Sequence, residues 1–291
     1  MKKYLRTLTI TSIGFLLSGC MPLPSPGGAS TSGEPEPTDT TQVPPEPTGT
    51  TTETPSGDYY ASITDSMNGE ELKTALYNII HPKKCQTNYD YVWNYLWYSD
   101  VGHPETPYGK SLDDILAYYR GTIASKTDMN KEHVWPKSRG GALIEGDPHM
   151  VRPTLTSDNS DRGNSFYVEG MNSDTNGWDP KAAGMNEDYR GDCARIIFYC
   201  AVQEMNTLTL VDKDTDSASN KTMGKLSDLL KWNLQYAVQQ SEKNRNDILS
   251  GKMQSYGWTF DFNRNPFIDH PEYACRIWGS TNSTTRQICG M

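Results

Sequence analysis

The sequence predicts an α+β fold, mainly helical, with one small strand, loop and helix set into it. Two observations predict it. Apolar residues recur at helical spacing in separate segments, and a Gly-, Asp- and Asn-rich stretch before about Thr156 has no helical period. Length sets the scale: 291 residues, with the polar N-terminal tract set aside, suffice for one domain with a real core.

In chain order, Lys2, Lys3 and Arg6 precede an apolar run over residues 8–17. That run is too short to span a bilayer and reads as the apolar region of an export signal. It closes on Leu17-Ser18-Gly19-Cys20, which resembles a bacterial lipobox with Cys20 as the lipidated start of the mature chain. The alternatives are an ordinary cleaved signal or a Cys buried in a short helix. Residues 21–57 are Pro, Gly, Ser, Thr and Glu with almost nothing large and apolar, so they cannot offset the entropy of ordering. Glu34, Glu36, Asp39, Glu46 and Glu53 have no basic counterpart there, and self-repulsion extends this tether. It holds the domain at 58–291 away from a membrane.

Within that domain, Leu72, Ala75, Leu76, Ile79 and Ile80 predict a helix over 69–80. A Ser111 cap and an acidic first turn predict another over 111–119. Longer amphipathic helices are predicted over 189–205 and 223–240. Tyr91, Trp93, Tyr95, Trp97 and Tyr98 fall at helical spacing and read as core or half-buried packing rather than as a base-stacking platform. A short helix starts at Thr156 or Ser157 and ends at Gly163 as its C-cap.

With Cys20 set aside, Cys85, Cys193, Cys200, Cys275 and Cys289 remain, an odd number that leaves at least one unpaired or paired with another chain. On one helix Cys193 and Cys200 would lie about 10 Å apart along the axis, beyond disulfide reach. Cys275 with Cys289 is the better-placed pair. No CxxC occurs, so neither a zinc knuckle nor a thioredoxin-like site is indicated.

The net charge of -9 argues against a generally basic nucleic-acid binder. Part of the acidity is the tether, however, and Lys126, Lys131, Lys137, Arg139, Arg152 and Arg162 cluster around one segment. A metal-dependent enzyme needs a local basic strip and a cation, not a basic whole.

That segment is Asn130-Lys131-Glu132-His133-Val134-Trp135-Pro136, followed by Asp158-Asn159-Ser160-Asp161-Arg162-Gly163-Asn164. Hydrolysis of a phosphodiester needs a base near neutral pKa, a cation to absorb charge on the phosphate, and donors that hold it in line. His133 suits the first task. Glu132 and Asn159 offer hard oxygen ligands suited to magnesium or calcium rather than zinc. Asn159 and Arg162 share a helix face three residues apart, so Asn159 can complete the metal site while Arg162 reaches a phosphate oxygen. Glu132 and His133, adjacent on a strand, point to opposite faces unless the backbone is irregular.

These motifs, with Asp147-Pro148-His149-Met150-Val151-Arg152-Pro153-Thr154 between them, resemble the secreted endonuclease I family of ββα-metal (His-Me finger) nucleases. The flanks share the likeness: Ala75-Leu76-Tyr77-Asn78-Ile79-Ile80-His81 looks like the family's early helix. Arg264-Asn265-Pro266-Phe267-Ile268-Asp269-His270-Pro271-Glu272-Tyr273 looks like its closing segment. The resemblance implies His133 as general base, with Glu132 and Asn159 on one divalent cation, normally magnesium, with calcium or manganese as alternatives. It implies Arg162 and Asn164 in the catalytic motif, His149 as a supporting histidine, and water as the nucleophile, giving 5'-phosphate ends. Such enzymes usually cut DNA and often RNA, with little sequence preference and no obligate protein partner. Arg139 and Arg152 are candidates for a further phosphate contact. Pro148 and Met150 depart from the family pattern, and the packing behind the catalytic His is expected to differ there. Two other readings remain open: a surface lipoprotein that binds polymers without turnover, and a hydrolase of small phosphoesters.

Overall fold

The structure is a computed structural model that describes residues 58–101 and 115–291. The export signal, Cys20, the tether over 21–57 and the Ser111 cap lie outside the described residues. In chain order the elements are α1 (Gly69–Ile80), α2 (Trp93–Ser99), β1 (Ile115–Ala117), β2 (Thr122–Ala124), β3 (Met129–His133), β4 (Val151–Leu155), α3 (Thr156–Arg162), β5 (Phe166–Tyr167) and β6 (Gly177–Trp178). There follow α4 (Tyr189–Gln203), β7 (Thr209–Val211), β8 (Thr222–Lys225), α5 (Leu226–Gln235), α6 (Gln240–Leu249), α7 (Pro266–Asp269), α8 (Tyr273–Trp278) and α9 (Ser283–Ile288). The strands form two-stranded pairs, antiparallel for β1–β2 and β3–β4 and parallel for β5–β6 and β7–β8. Helices packed around small sheets make this an α+β fold.

Helix α1 forms where the spacing predicts it. Glu70 and Glu71 sit at the positive end of its dipole, and Leu72, Leu76 and Ile80 bury one stripe. Pro82 follows at once and opens a single 3-10 turn.

Helix α4 is the centre of the molecule, with α1, α5 and α7 packed on it. All its residues are buried, so it is not the amphipathic surface helix that its polar positions suggest. Those positions are satisfied internally: Arg190 binds Asp179, Asp192 binds Arg152 at 2.9 Å, and Arg195 binds Glu242 at 2.6 Å. A charge hydrogen-bonded to an opposite charge can enter a core that would reject it alone.

Two further expectations are corrected. The described part of 111–119 is strand β1, which pairs with β2 and also bridges Val101, and Tyr118 bridges Thr154 of β4. Its short apolar run, Ile115-Leu116-Ala117, fits either period, and available ladder partners decide it. The stretch over 223–240 is also not one helix. Met223 lies in β8, and α5 ends at Gln235, before α6 begins at Gln240.

Cys275 and Cys289 are disulfide-bonded and tie α8 to the end of α9. Cys193 and Cys200 are buried thiols on α4. Of the aromatic run, Tyr95 is buried, Trp93, Trp97 and Tyr98 are half-buried, and Tyr91 is 52% exposed, contrary to the packing expected of it. No helix among the described residues is long and apolar enough to cross a membrane.

Candidate active site

The site is built on the β3–β4 hairpin and the helix that follows it. The ladder runs from Met129 opposite Leu155 to His133 opposite Val151, and α3 starts directly at Thr156 and packs back on β3. The hairpin connection is two 3-10 turns, over Lys137–Arg139 and Gly141–Ile144. Gly141 is required there, because a Cβ would stand 1.9 Å from the Trp135 carbonyl oxygen. Helix α3 ends at Gly163, whose φ of +55° lies in the left-handed region that disfavours side chains, as the sequence predicts for a C-cap. The Gly163 N–H donates to the Asn159 carbonyl at 3.0 Å, and the chain then turns out into Asn164.

This arrangement gathers Lys131, Glu132, His133, Lys137, Asn159, Arg162 and Asn164 around one cavity of about 360 Å³, with Tyr89 as a further wall. The two sequence motifs therefore converge although the hairpin loop and β4 separate them.

Glu132 and His133 diverge as strand alternation requires. Glu132 points inward and is 1% exposed, whereas His133 is half-buried. A Glu132 oxygen accepts from the Tyr119 hydroxyl at 2.9 Å and stands 3.2 Å from the Arg162 guanidinium. Burial raises the carboxyl above its ordinary range, with the Arg162 charge and the Tyr119 hydrogen bond acting the other way. The Tyr119 hydroxyl is held in turn by that of Tyr167 at 2.7 Å. Tyr119 has φ +69°, an uncommon conformation for a large side chain, which the surrounding packing must enforce.

His133 stacks on the Tyr89 ring at 5.1 Å between centroids. Burial, followed by the Lys137 charge, lowers its pKa to about 4, against the opposing pull of a hydrogen bond to the Glu145 backbone. The ring is therefore neutral at neutral pH. Its Nε2 is buried with no hydrogen-bond partner, a costly omission in a group that serves packing alone.

Arg162 is placed differently from the expectation of an open phosphate donor. It is 1% exposed, donates to the Val134 carbonyl at 2.7 Å and the Gly163 carbonyl at 2.9 Å, and lies over Tyr167. Its strongest electrostatic partner is Glu132. Asn159 is half-buried and Asn164 exposed. The Asn164 carbonyl accepts from Arg139 at 3.2 Å, which keeps Arg139 beside the cavity mouth.

Arg152 is corrected outright. Although it faces Glu132 across the ladder, its guanidinium binds Asp100 at 2.8 Å and Asp192 at 2.9 Å inside the core, so it has no access to a phosphate. His149 does not support His133. Its Nε2 contacts the Asn263 carbonyl at 2.9 Å, its backbone N–H donates to Asp147 at 2.8 Å, and burial lowers its pKa to about 3. Asn263 also donates to the Ile80 carbonyl, so His149 ties the hairpin loop to the closing segment and to the end of α1. Behind His133, Met150 joins Val134 in the main core, and Arg245 donates to the Pro148 carbonyl.

Tyr89, Tyr119 and Tyr167 touch the site residues and carry no signal in the motifs. Sequence separation hides them.

Two oxygen donors, Glu132 and Asn159, share the cavity with a histidine nitrogen that lacks a partner. That set fits a hard cation that keeps several waters, as magnesium does. Among the described residues no group of three or more His, Cys, Asp and Glu side chains is placed to hold a metal ion.

The family profile of Endonuclease I matches residues 68–272. An extracellular ribonuclease of Bacillus amyloliquefaciens is 33% identical over 316 aligned positions, covering 96% of this chain and 100% of the relative. An extracellular ribonuclease of Bacillus subtilis (strain 168) is 34% identical over 246, covering 76% of this chain and 78% of that one. No solved structure matches. The chain belongs to the endonuclease I family and is a nuclease that hydrolyses phosphodiesters.

Proposed function

We propose that this chain is an exported, divalent-cation-dependent endonuclease that cuts RNA and DNA with water as nucleophile, leaving 5'-phosphate ends. Endonuclease I enzymes depend in general on a divalent metal. Hairpin β3–β4 with α3 is read as the ββα-metal element of a His-Me finger nuclease. One observation carries the assignment: the unpartnered Nε2 of a neutral His133, in the same cavity as Glu132 and Asn159.

His133 takes the proton of the attacking water, and its low pKa keeps the base form available at neutral pH. Glu132 and Asn159 would hold the cation. When bound, that cation would supply neutralisation of the charge that develops on the phosphate. Arg162 orients Glu132 through their buried contact, and its charge reaches the same cavity. Lys131, Lys137 and Asn164 line the cavity and are the donors for phosphate oxygens, with Arg139 at its edge. Both relatives are named ribonucleases, which makes RNA the firmer of the two substrates.

Both relatives are also named extracellular, in keeping with the export features of residues 1–20. Lipidation at Cys20, with residues 21–57 as the tether, would hold the nuclease domain off the membrane. Mass spectrometry of the mature N-terminus checks this, and an unmodified start beyond Cys20 contradicts it.

The enzymatic test is digestion of RNA and of plasmid DNA by the purified protein with magnesium, with and without EDTA. Both polymers should be degraded, and EDTA should stop the reaction. An undiminished rate in EDTA overturns the metal-dependent reading.

A further inference from the structure

Beside the cavity lies a strip of alternating ammonium groups and aromatic rings. The Lys131 and Lys137 ammonium groups stand 3.4 Å and 3.9 Å from the centre of the Tyr89 ring, the ring that stacks on His133. Lys131 is also tied to the Tyr89 carbonyl at 2.7 Å. Further along, Lys126 stands 5.3 Å and 5.0 Å from the rings of Trp93 and Trp97, which share a face of α2 four residues apart. Trp93 packs against the cluster of Ile115, Ala117 and Met129, and strand alternation puts Met129, Lys131 and His133 on one face of β3. The two halves of the strip are thus continuous. Burial holds the Lys131 ammonium below its usual range. Lys137 is paired with Glu145 at 2.6 Å, and Asp90 and Glu145 are the acidic groups acting on Lys131. Three lysines set against the rings of one strip, in a chain of net charge -9, favour a polyanion as occupant.

We propose that Lys137, Tyr89, Lys131, Lys126, Trp93 and Trp97 form a track for a single-stranded stretch of the substrate on one side of the scissile phosphate. Phosphates seat on the lysines and draw the ammonium groups off the rings, and unstacked bases take their place against the rings. A duplex hides its base faces inside its own stack, so it meets only the charges. The track rests on the nuclease reading and deepens it by naming the strand form that the site prefers.

The test measures binding without turnover. The full protein in EDTA is titrated with a fluorescent oligothymidylate of about 12 nucleotides, within the range of known single-strand sites, and with a duplex of matching length. Lys126→Ala and Trp97→Ala should each weaken the single strand by roughly 10-fold, the loss of about one stacked base or phosphate contact. The duplex should lose under about 2-fold for Trp97→Ala, since stacking is what distinguishes the two forms. For Lys126→Ala the slope of log affinity against log salt on the single strand should fall by about 0.7. Tyr89→Leu should weaken the single strand, and Tyr89→Phe, which keeps the ring, should restore it. Equal losses of strand and duplex across the set, or no losses with an unchanged salt slope, would overturn the track. The nuclease reading fails separately, if the wild-type protein with magnesium cuts neither RNA nor DNA, and the metal-free titration reads the track in either case.

Discussion

Two charged centres grow from the same β3–β4 hairpin, and they are finished in opposite ways. Around Arg152, every charge is matched: its guanidinium binds Asp100 and Asp192, and Arg245 closes on Asp100 from α6 at 2.9 Å. Around His133, the matching is incomplete. Nε2 has no partner, Lys131 and Lys137 crowd one ring, and Glu132 is buried with its pKa raised. A saturated network holds a fold and has nothing left to offer a ligand. A site proposed to bind water, a cation and a phosphate keeps an acceptor short, and the rest of the fold sustains that cost.

Removing each centre separates these roles. The largest effect belongs to the open centre: His133→Ala should cut the rate of RNA digestion by about 10²- to 10⁴-fold, the usual worth of a general base, while its melting temperature stays close to wild type. A mutant as active as wild type would dissolve the distinction. Next, Arg152→Met strands Asp192 without its partner and should cost about 3–5 kcal/mol by urea denaturation, yet molecules that remain folded should keep their kcat. A large kcat loss in folded Arg152→Met protein would show that the closed centre takes part in the chemistry. Glu132→Gln keeps the shape and removes the charge, and should shift the magnesium titration of activity to higher concentration. An unshifted curve counts against Glu132 as a ligand.

The pH dependence of stability gives a subtler comparison. His149 falls from the usual 6.5 to about 3 on folding, chiefly through burial, so its contribution is complete above pH 6.5 and is lost as pH falls toward 3. His133, lowered to about 4, acts in the same direction. Asp147, raised by burial to about 6, acts oppositely: its contribution is complete below 3.8 and is lost as pH rises through 6. Glu132, Asp228 and Glu242, also raised by burial, act with Asp147 against the two histidines; the histidine share should lower the melting temperature between pH 6.5 and 4. His149→Gln should flatten that drop, and an unchanged slope would show that His149 is not held neutral. Smallest of all, Tyr119→Phe removes one hydrogen bond to Glu132 and should cost about 1 kcal/mol, read as a small shift in melting temperature.

Much of this was legible along the chain, for reasons that differ by element. Helix α1 could be read to its ends because Leu72, Leu76 and Ile80 recur at one spacing, two glutamates mark its start and Pro82 follows its end. Strand β1 could not, because three apolar residues fit a helix or a strand and the choice belongs to Val101, β2 and Thr154. Helix α4 was legible as a helix but not as a buried one. Arg190, Asp192 and Arg195 look like a solvated face until Asp179, Arg152 and Glu242 arrive from elsewhere in the chain. Arg152 was misplaced for the same reason: a basic residue in a motif looks available when its counter-ions lie far away in sequence.

By itself the sequence determined the inventory of the candidate site, because Glu132, His133, Asn159, Arg162 and Asn164, which line one cavity, sit in two short motifs whose local geometry, a strand and a capped helical turn, is set by nearby residues. Tertiary structure alone decided which of those groups are spent and which are free. Partnership of charges and hydrogen bonds is non-local, so only folding could bury Arg162 against Glu132, seat Tyr89 on His133 and leave one imidazole nitrogen without a partner.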